Sequence, residues 1–536
     1  MAGCKAGRTV SLAPGAKENK IEQAEVALEI ARLGNVENLV AAFQDATNES
    51  ADGFLYNKEF SQLLRIRRGA SLIGWSTSTE PDAVGWSYHG KIRGTNAPDS
   101  AAILSGDPSM AVDPKNPANV YIAAMMVSNS LWNKFVKGDV AGDEEDELSA
   151  SSISVSMNGF CVARSTDAGE TFKSIKCVET SSLTFQSVDL TSVAVDAKGC
   201  VWVAFTDVAQ GPFFGRLYRS RPSATSGICA DWSQMEEVTP LGSFLAEDGS
   251  DVGVYANEAF PKVKSDHQGN VYFSTFDNDP QNSLGLLVIR KYDVANERWN
   301  WAIMPSPICM EGIRFPTGNK DLNKFFLPSG AHVRSAFPYD FAVGLDETDV
   351  PDMRIAIHTQ NNIPEGIGSQ RIIQAFSRQA TPDGLCSPAT GWNEPAPPAI
   401  LAGFSAFQPV VTVRHGGRNG SEWFIGYLTN FDITDPTKDS LRVEGRRLAF
   451  FQQNVGGVEQ YIPIQNIPVY FTPQNSRVCP TTGGYWGDYF GLAFHRTITG
   501  SMKLTSAFSF SGVGPQPCEL QSPLRAIPLT VESATF

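Results

Sequence analysis

Five charged residues stand at or just before apolar, strand-like segments: Asp107, Asp189, Glu258, Arg334 and Asp488. Two carboxyl groups held at a suitable separation do acid–base work in glycoside hydrolysis, one as acid and one as base or nucleophile. Clustered carboxylates of the same kind also hold Ca²⁺. The plainer reading is that each caps a turn or pairs with a neighbour. Which of these holds depends on whether the chain brings the five to one place.

The elements that would position them form a repeat. A polar or acidic residue, often next to Pro, opens an apolar strand; a turn with Asp, Asn or Gly follows, then a second strand containing an aromatic. The copies run from Gly106-Asp107-Pro108 through AVDPKNPANVYIAAM, from Asp189 through SVAVDAKGCVWVAF, and from Glu258 and Pro261 through VKSDHQGNVYFSTF. They continue from Pro338 through FAVGLDETDVPDMRIAIHT, from Gln408-Pro409 through VVTVRHGGRNGSEWFIGYL, and from Asp488-Tyr489 through FGLAFHRTITGSMKLTSAF. Between Asp107, Asp189, Phe260, Phe337, Phe407 and Asp488 the steps are 82, 71, 77, 70 and 81 residues. Near-even steps of this length suit one propeller blade per copy. A second hairpin type lies between them, clearest in CVARSTDAGETFKSIKC from Cys161 to Cys177 and present in weaker form around 217–234, 289–301 and 375–394. Two hairpins per repeat predict an all-β, six-bladed β-propeller of four-stranded antiparallel blades over residues 70–536. The outer hairpin WSTSTEPDAVGWSYHG (75–90) precedes the first inner one, so the sixth blade is expected to join it to the hairpin near 488–510, pairing the two ends and removing an exposed edge. Residues 1–69 read differently. Ile21, Ala24, Leu28 and Ala31 recur at helical spacing, with Gly34 as a stop and a second short helix over 36–45, which predicts a small helical appendage.

Composition sets outer limits. The chain has 536 residues with 47 Gly and 33 Pro, is 19% charged and 10% aromatic, and carries a net charge of −14. Many Gly- and Pro-marked turns fit an all-β class. A nucleic-acid partner calls for a basic face, which this balance lacks. There is no apolar run long enough to span a bilayer. None of the nine cysteines forms a C-x-x-C motif. Cys161 and Cys177 each lie eight residues from Gly169, which places them opposite one another across a hairpin, as a disulfide or as two packed thiols. A disulfide would imply an oxidising compartment. Met1-Ala2-Gly3-Cys4 resembles the end of a bacterial lipoprotein signal without its apolar region, so Cys4 is either a lipid anchor or a coincidence. The acidic run Asp143 to Glu147 reads as a solvated loop or a Ca²⁺ site, and no other cofactor is expected. Phe213, Phe214 and Trp301 are core residues or surfaces for stacking sugars. No H-E-x-x-H, G-x-S-x-G, P-loop or G-x-G-x-x-G motif occurs.

Ser165-Thr166-Asp167-Ala168-Gly169-Glu170-Thr171-Phe172 fits the Asp-box pattern S-x-D-x-G-x-[ST]-[FW]. In such a turn the Asp carboxylate accepts from turn amides, Gly takes a positive φ and the aromatic packs beneath. With this box, the chain resembles the sialidase-like (BNR-repeat, Asp-box) propeller superfamily over roughly residues 70–536, and Tyr485 to Ala493 looks like a segment of secreted proteins of that kind. The box implies a blade, not a reaction. The resemblance implies an extracellular protein at the cell surface, in the periplasm or secreted, and a glycan or glycoconjugate as its partner. Sialidases of this superfamily grip the substrate carboxylate with three arginines and use a Tyr–Glu nucleophile pair with an Asp acid. Here the early Arg-Ile-Pro motif is absent and the trio has no clear counterpart. Arg334, with His332 beside it, and Tyr489 are the nearest matches for an anion clamp and a nucleophile. Two functions stay open: a glycosidase with Asp107, Asp189, Glu258, Asp488 and Tyr489 at the channel mouth, and a non-catalytic propeller that binds a glycan or protein.

Overall fold

A computed structural model describes residues 23–45, 55–57, 62–65, 73–80, 85–92, 103–104, 106–127, 159–180, 188–207, 214–223, 225–229, 234–240, 244–245, 251–252, 258–279, 284–303, 324–326, 332–334, 339–345, 351–360, 371–379, 405–417, 420–430, 441–455, 458–465, 468–470, 477–478, 490–510, 513–514 and 525–532, in some strands as backbone only. Every regular element among them is a β-strand. Seven sheets have three or more strands. Five of these have four or more strands and are full blades, where the repeat spacing predicts six; the other two have three described strands.

The first sheet runs Gln23–Leu33, Val36–Asp45, Ile73–Ser78, Ser87–Lys91. The second runs Ser109–Val112, Val120–Val127, Gly159–Ser165, Ser174–Glu179, and the third Val188–Val195, Val201–Asp207, Phe214–Ser220, Met235–Glu237. The fourth is Glu258–Ser265, Val271–Asp279, Leu284–Asp293, Arg298–Ile303, and the fifth Tyr339–Leu345, Pro351–Gln360, Arg371–Gln379. The sixth begins Ser405–Gly417, Gly420–Asn430, Leu441–Val455, and the seventh is Gly491–Arg496, Met502–Phe510, Arg525–Glu532. Each sheet's first two strands form an antiparallel hairpin, and the first strands of all seven line one central cavity.

The expected N-terminal helices are strands. Gln23–Leu33 and Val36–Asp45 pair antiparallel, with Leu33 opposite Val36 and Gly34 at φ +62° in the two-residue turn. Leu39 to Phe43 is buried without a break, on both faces of the sheet. A run buried on both faces loses the period-2 pattern that separates a strand from a helix. This hairpin also takes the place expected of 488–510: Ile73–Ser78 pairs with Val36–Asp45, not with the seventh sheet. The six inner hairpins of the sequence repeat all form, and residues 23–45 supply one more.

The repeat has a backbone signature. Glu25, Asp107, Leu190, Phe260 and Gln408 all have φ between 48° and 57°. In the first, third, fourth and sixth sheets the pairing register shifts at that point. Each of these four is a β-bulge at the start of an inner strand, and the left-handed conformation costs a non-glycine residue about 1 kcal/mol or more. Its benefit is direction, since it bends the strand into the ring.

Neighbouring sheets pack face to face. Ile73 and Trp75 of the first sheet meet Ile122, Ala124 and Cys161 of the second, with Phe172 edge-on to Trp75 at 5.6 Å. The Asp box tightens this joint. Asp167 accepts from the Thr171 amide at 2.9 Å and the Thr171 hydroxyl at 2.6 Å, while Ser165 Oγ accepts from the Gly169 amide at 2.9 Å. Across the joint Trp75 Nε1 donates to the Gly169 carbonyl at 3.0 Å and Asn38 Nδ2 to the Ala168 carbonyl at 2.8 Å.

The ring closes between the first and seventh sheets. Val26, Leu28 and Phe43 share a core with Ala493 and Ala507, and a Cβ on Gly491 would stand only 2.3 Å from that of Leu28. Beside this contact Glu37 accepts two bonds from the Arg414 guanidinium, both at 2.8 Å, and one from the Arg496 amide at 2.6 Å, with Arg32 at 3.1 Å. Among the described residues two disulfides form: Cys161–Cys177, directly opposite in register as their spacing allows, and Cys200–Cys229, which the sequence does not single out.

Candidate functional site

At the axis of the ring the first strands of all seven sheets line one cavity. Counting from each left-handed residue, those two and four positions on are among the residues that line the two cavities at the axis. They are Ala27 and Glu29, Ser109 and Ala111, Ser192 and Ala194, Lys262 and Lys264, and Val410 and Thr412. Most are small or neutral. Glu29, Lys262 and Lys264 are the exceptions, and Asp340 of the fifth sheet joins them. All four line a cavity of ≈ 140 Å³ on the strand-start side, which adjoins a wider one of ≈ 380 Å³ toward the hairpin turns.

The four form one electrostatic unit. Lys262 Nζ lies 2.9 Å from Asp340 Oδ1, and Lys264 Nζ lies 3.6 Å from the same oxygen. The second Asp340 oxygen accepts from the Val411 amide at 2.8 Å. Burial pushes the Asp340 carboxyl up, but Lys262 and Lys264 outweigh it and hold the group below its ordinary value. Burial likewise lowers the Lys262 ammonium, with Asp340 opposing that shift. Glu29 differs: burial in the channel pushes it up to about 7, and Lys264 only partly offsets this. One cavity thereby holds an ionised carboxylate and a carboxyl that titrates near neutrality.

Of the predicted mouth residues, the structure brings Asp107 and Asp189 together. Asp107 is 3% exposed; its amide donates to Glu25 Oε2 at 3.0 Å, and its Oδ2 accepts from the Leu190 amide at 3.1 Å. Asp189 Oδ1 accepts from the same amide at 3.1 Å, and Thr191 Oγ1 donates to the Asp107 carbonyl at 2.5 Å. Burial, then the neighbouring Glu25, push the Asp107 carboxyl well above its ordinary value. Asp107 therefore links the left-handed positions of the first three sheets, Glu25, its own and Leu190. The backbones of Glu258, His332 and Arg334 fall on strands, and their side chains, like that of Trp301, lie outside the described residues. Asp488, Tyr489, Cys4, Phe213 and the acidic run 143–147 also lie outside them. Phe214 opens an outer strand of the third sheet with Arg216 over its ring at 5.8 Å. Ser165, Asp167, Gly169, Thr171 and Phe172 form the joint described above. Among the described residues no three His, Cys, Asp or Glu side chains are grouped to hold a metal ion, and no helix is long and apolar enough to cross a membrane.

A further acidic device recurs at the opposite end of the inner strands. Asp113, Asp196 and Asp266 each accept turn amides with one oxygen, and with the other take Asn119 at 3.2 Å, Trp202 Nε1 at 3.0 Å and Asn270 at 2.8 Å. These are structural caps.

No protein-family model and no curated protein sequence matches this chain. Among solved structures, the intramolecular trans-sialidase from Ruminococcus gnavus is 10% identical, covering 99% of this chain and 98% of that one at a TM-score of 0.40. A mutant of Trypanosoma rangeli sialidase displaying trans-sialidase activity is 11% identical over 99% of this chain and 58% of that one, at 0.35. The polysaccharide lyase Uly1 is 10% identical over 77% and 88%, at 0.31. These likenesses are distant and carry nothing about activity.

Proposed function

We propose that this protein is an extracellular carbohydrate-binding propeller whose ligand enters the central channel from the strand-start mouth. The observation that carries the reading is the convergence of Glu29, Lys262, Lys264 and Asp340 on one cavity whose other walls are mostly apolar or small. A concave site with a few converging polar groups is the usual form of a small-ligand pocket. The two disulfides support an oxidising compartment, hence a secreted, periplasmic or cell-surface location.

Binding is favoured over hydrolysis by the state of Asp340. Both of its oxygens are engaged, by Lys262 and by the Val411 amide, so it is poorly placed as a nucleophile or base. The test is a glycan array probed with the purified protein, beside a panel of fluorogenic glycosides, sialosides included, with and without chelator. Selective glycan binding without turnover is the expected result. Turnover lost on Asp488→Asn or Tyr489→Phe would replace this reading with a glycosidase, and loss of binding on chelation would bring in Ca²⁺. No binding to any glycan would end it.

A further inference from the structure

The third strand of the sixth sheet outruns its sheet. In the second, third and fourth sheets the third strand ends within one residue of its last pairing with the second, at Ser165–Val120, Arg219–Trp202 and Tyr292–Val271. In the sixth, Leu441–Val455 last pairs with Gly420–Asn430 at Leu448, opposite Trp423, and then continues through Ala449 to Val455. Over that stretch it pairs with Val458–Gln465, the strand that follows. Among the described residues no other strand pairs with either. At about 3.4 Å per residue this is a two-stranded arm roughly 24 Å long on the turn side of the ring. Two strands alone are marginally stable in water, so such an arm calls for cover.

Its charge is distributed the wrong way round for an edge left in solvent. Leu441 to Leu448 pairs with Gly420–Asn430 on one side and in part with Pro468–Tyr470 on the other, and it carries Arg442, Glu444, Arg446 and Arg447. Ala449 to Val455, open along one edge among the described residues, reads AFFQQNV and holds no charge and no Pro. Solvent-facing edges are ordinarily guarded by charge or Pro, and an uncharged, aromatic edge is a template for another strand. The arm's other strand is guarded in that way, by Glu459 and Pro463.

Charge and symmetry name the occupant. Each copy of the chain carries −14, so two copies repel except where the surface is uncharged, as this edge is. An antiparallel ladder between a segment and its own copy is two-fold symmetric. Gln452, Gln453 and Asn454 each carry amide donors and an acceptor, a set that is complementary to itself.

We propose that Ala449 to Val455 binds the same segment of a second copy of this chain, as an antiparallel pair centred on Gln452. The two arms then form one four-stranded sheet across the two-fold axis. Glu459 and Pro463 stand on its outer strands, which stops growth at two copies. The arm is on the turn side, so pairing leaves the strand-start mouth of both rings open. So short a ladder buries less than the roughly 800 Å² per partner of a standard interface, and the expected Kd is of micromolar order.

The experiment is sedimentation equilibrium of the full chain from about 1 to about 100 μM, at about 0.02 M and about 0.3 M salt. The expected result is a reversible monomer–dimer equilibrium that tightens with salt, because screening relieves the repulsion between the two acidic bodies. Gln452→Lys and Gln452→Glu each set like charges against one another at the two-fold axis and should weaken the dimer at least about tenfold. An equimolar mixture of the two sets Lys against Glu and should recover it. Glu459→Gln, on the guarded strand, should leave the dimer unchanged. Asn454→Lys tests the same edge should either Gln452 variant fail to fold by thermal melt. A monomer at every concentration, a dimer that loosens with salt, or an open series of larger species would overturn the proposal. So would a dimer indifferent to charge on this edge, or one weakened by both Gln452 variants and not recovered on mixing them.

Discussion

Removing the Arg414 guanidinium, as Arg414→Met, tests whether the ring is held shut by charge as well as by packing. The Glu37 side chain is 8% exposed and that of Arg414 13%, and the two make a bidentate pair. Breaking a buried pair on one side costs about 3–5 kcal/mol because the remaining charge is stranded. Glu37 is not wholly stranded, since the Arg496 amide stays at 2.6 Å and Arg32 at 3.1 Å. Arg32 is 46% exposed, so its share is at most about 1 kcal/mol. The net expectation is a loss of about 3 kcal/mol. For a chain of 536 residues unfolding as one unit, the entropy at the midpoint is roughly 1.1 kcal/mol/K, so Tm should drop by about 3 °C. The pH dependence has a definite sign. Burial pushes the Glu37 carboxyl up, but the hydrogen bonds from Arg414 and the Arg496 amide and the charges of Arg414 and Arg32 outweigh it, and its value lies below the ordinary 4.5. A depressed carboxyl contributes stability above its unfolded value and loses it as pH falls through its folded value. The variant should therefore lose its deficit as pH falls through the depressed folded-state value of Glu37. Scanning calorimetry at one scan rate, with Glu37→Gln and the double variant, closes the cycle. A coupling under about 0.5 kcal/mol would refute the clamp.

Gly169→Ala should cost at least about 2 kcal/mol by urea denaturation, because φ is +89° and the new methyl would sit 2.5 Å from Val40 Cγ2; Asp167→Ala, which removes acceptors at a half-buried turn, should cost about 1 kcal/mol. Replacing either disulfide by Ser pairs should cost about 3 kcal/mol, and alkylation mass spectrometry under mild reductant should label Cys177, which is exposed, before Cys200 and Cys229, which are buried. Asp107→Asn should be tolerated near pH 7 and gain on the wild type as pH rises. The reason is that burial and then Glu25 raise the Asp107 carboxyl, so native Asp107 loses stability between its unfolded and folded values. A wild-type midpoint that falls no faster with pH than the variant's would contradict this.

Much of the fold was legible because the repeat is written in side chains that a hairpin needs. The Asp–x–x–Gly turn of Asp196 and Asp266 and the aromatic after it recur because one carboxylate caps the turn and takes the following Trp or Asn. Residues 23–45 escaped because their run is buried on both faces and Ala-rich, so spacing alone favoured a helix. The candidate site was less legible for a related reason. Acids at strand starts attract attention, yet Asp107 is spent on the Leu190 amide. The channel-facing charges lie two and four residues further on, where alignment of the repeats sets Lys262 and Lys264 against Ser192 and Ala194. Glu29 could not be found that way until its strand was recognised. Asp340 and Glu29 meet only through closure of the ring, which no local pattern encodes.

The clamp at Glu37 also sets a timetable. Its partners lie 377 and 459 residues downstream, so the first sheet is the earliest made and the last completed. At ribosomal speeds of about 5–20 residues per second, that wall waits roughly 20 to 90 s for Arg496 to be made. During that interval Val26, Leu28 and Phe43 have no seventh sheet to cover them. Such an apolar face is what holdase chaperones recognise and what two unfinished chains would bury against each other. The slow step in making this protein is then the meeting of its earliest and latest sheets, and yield should respond to whatever shields the N-terminal hairpin more than to any change within a blade.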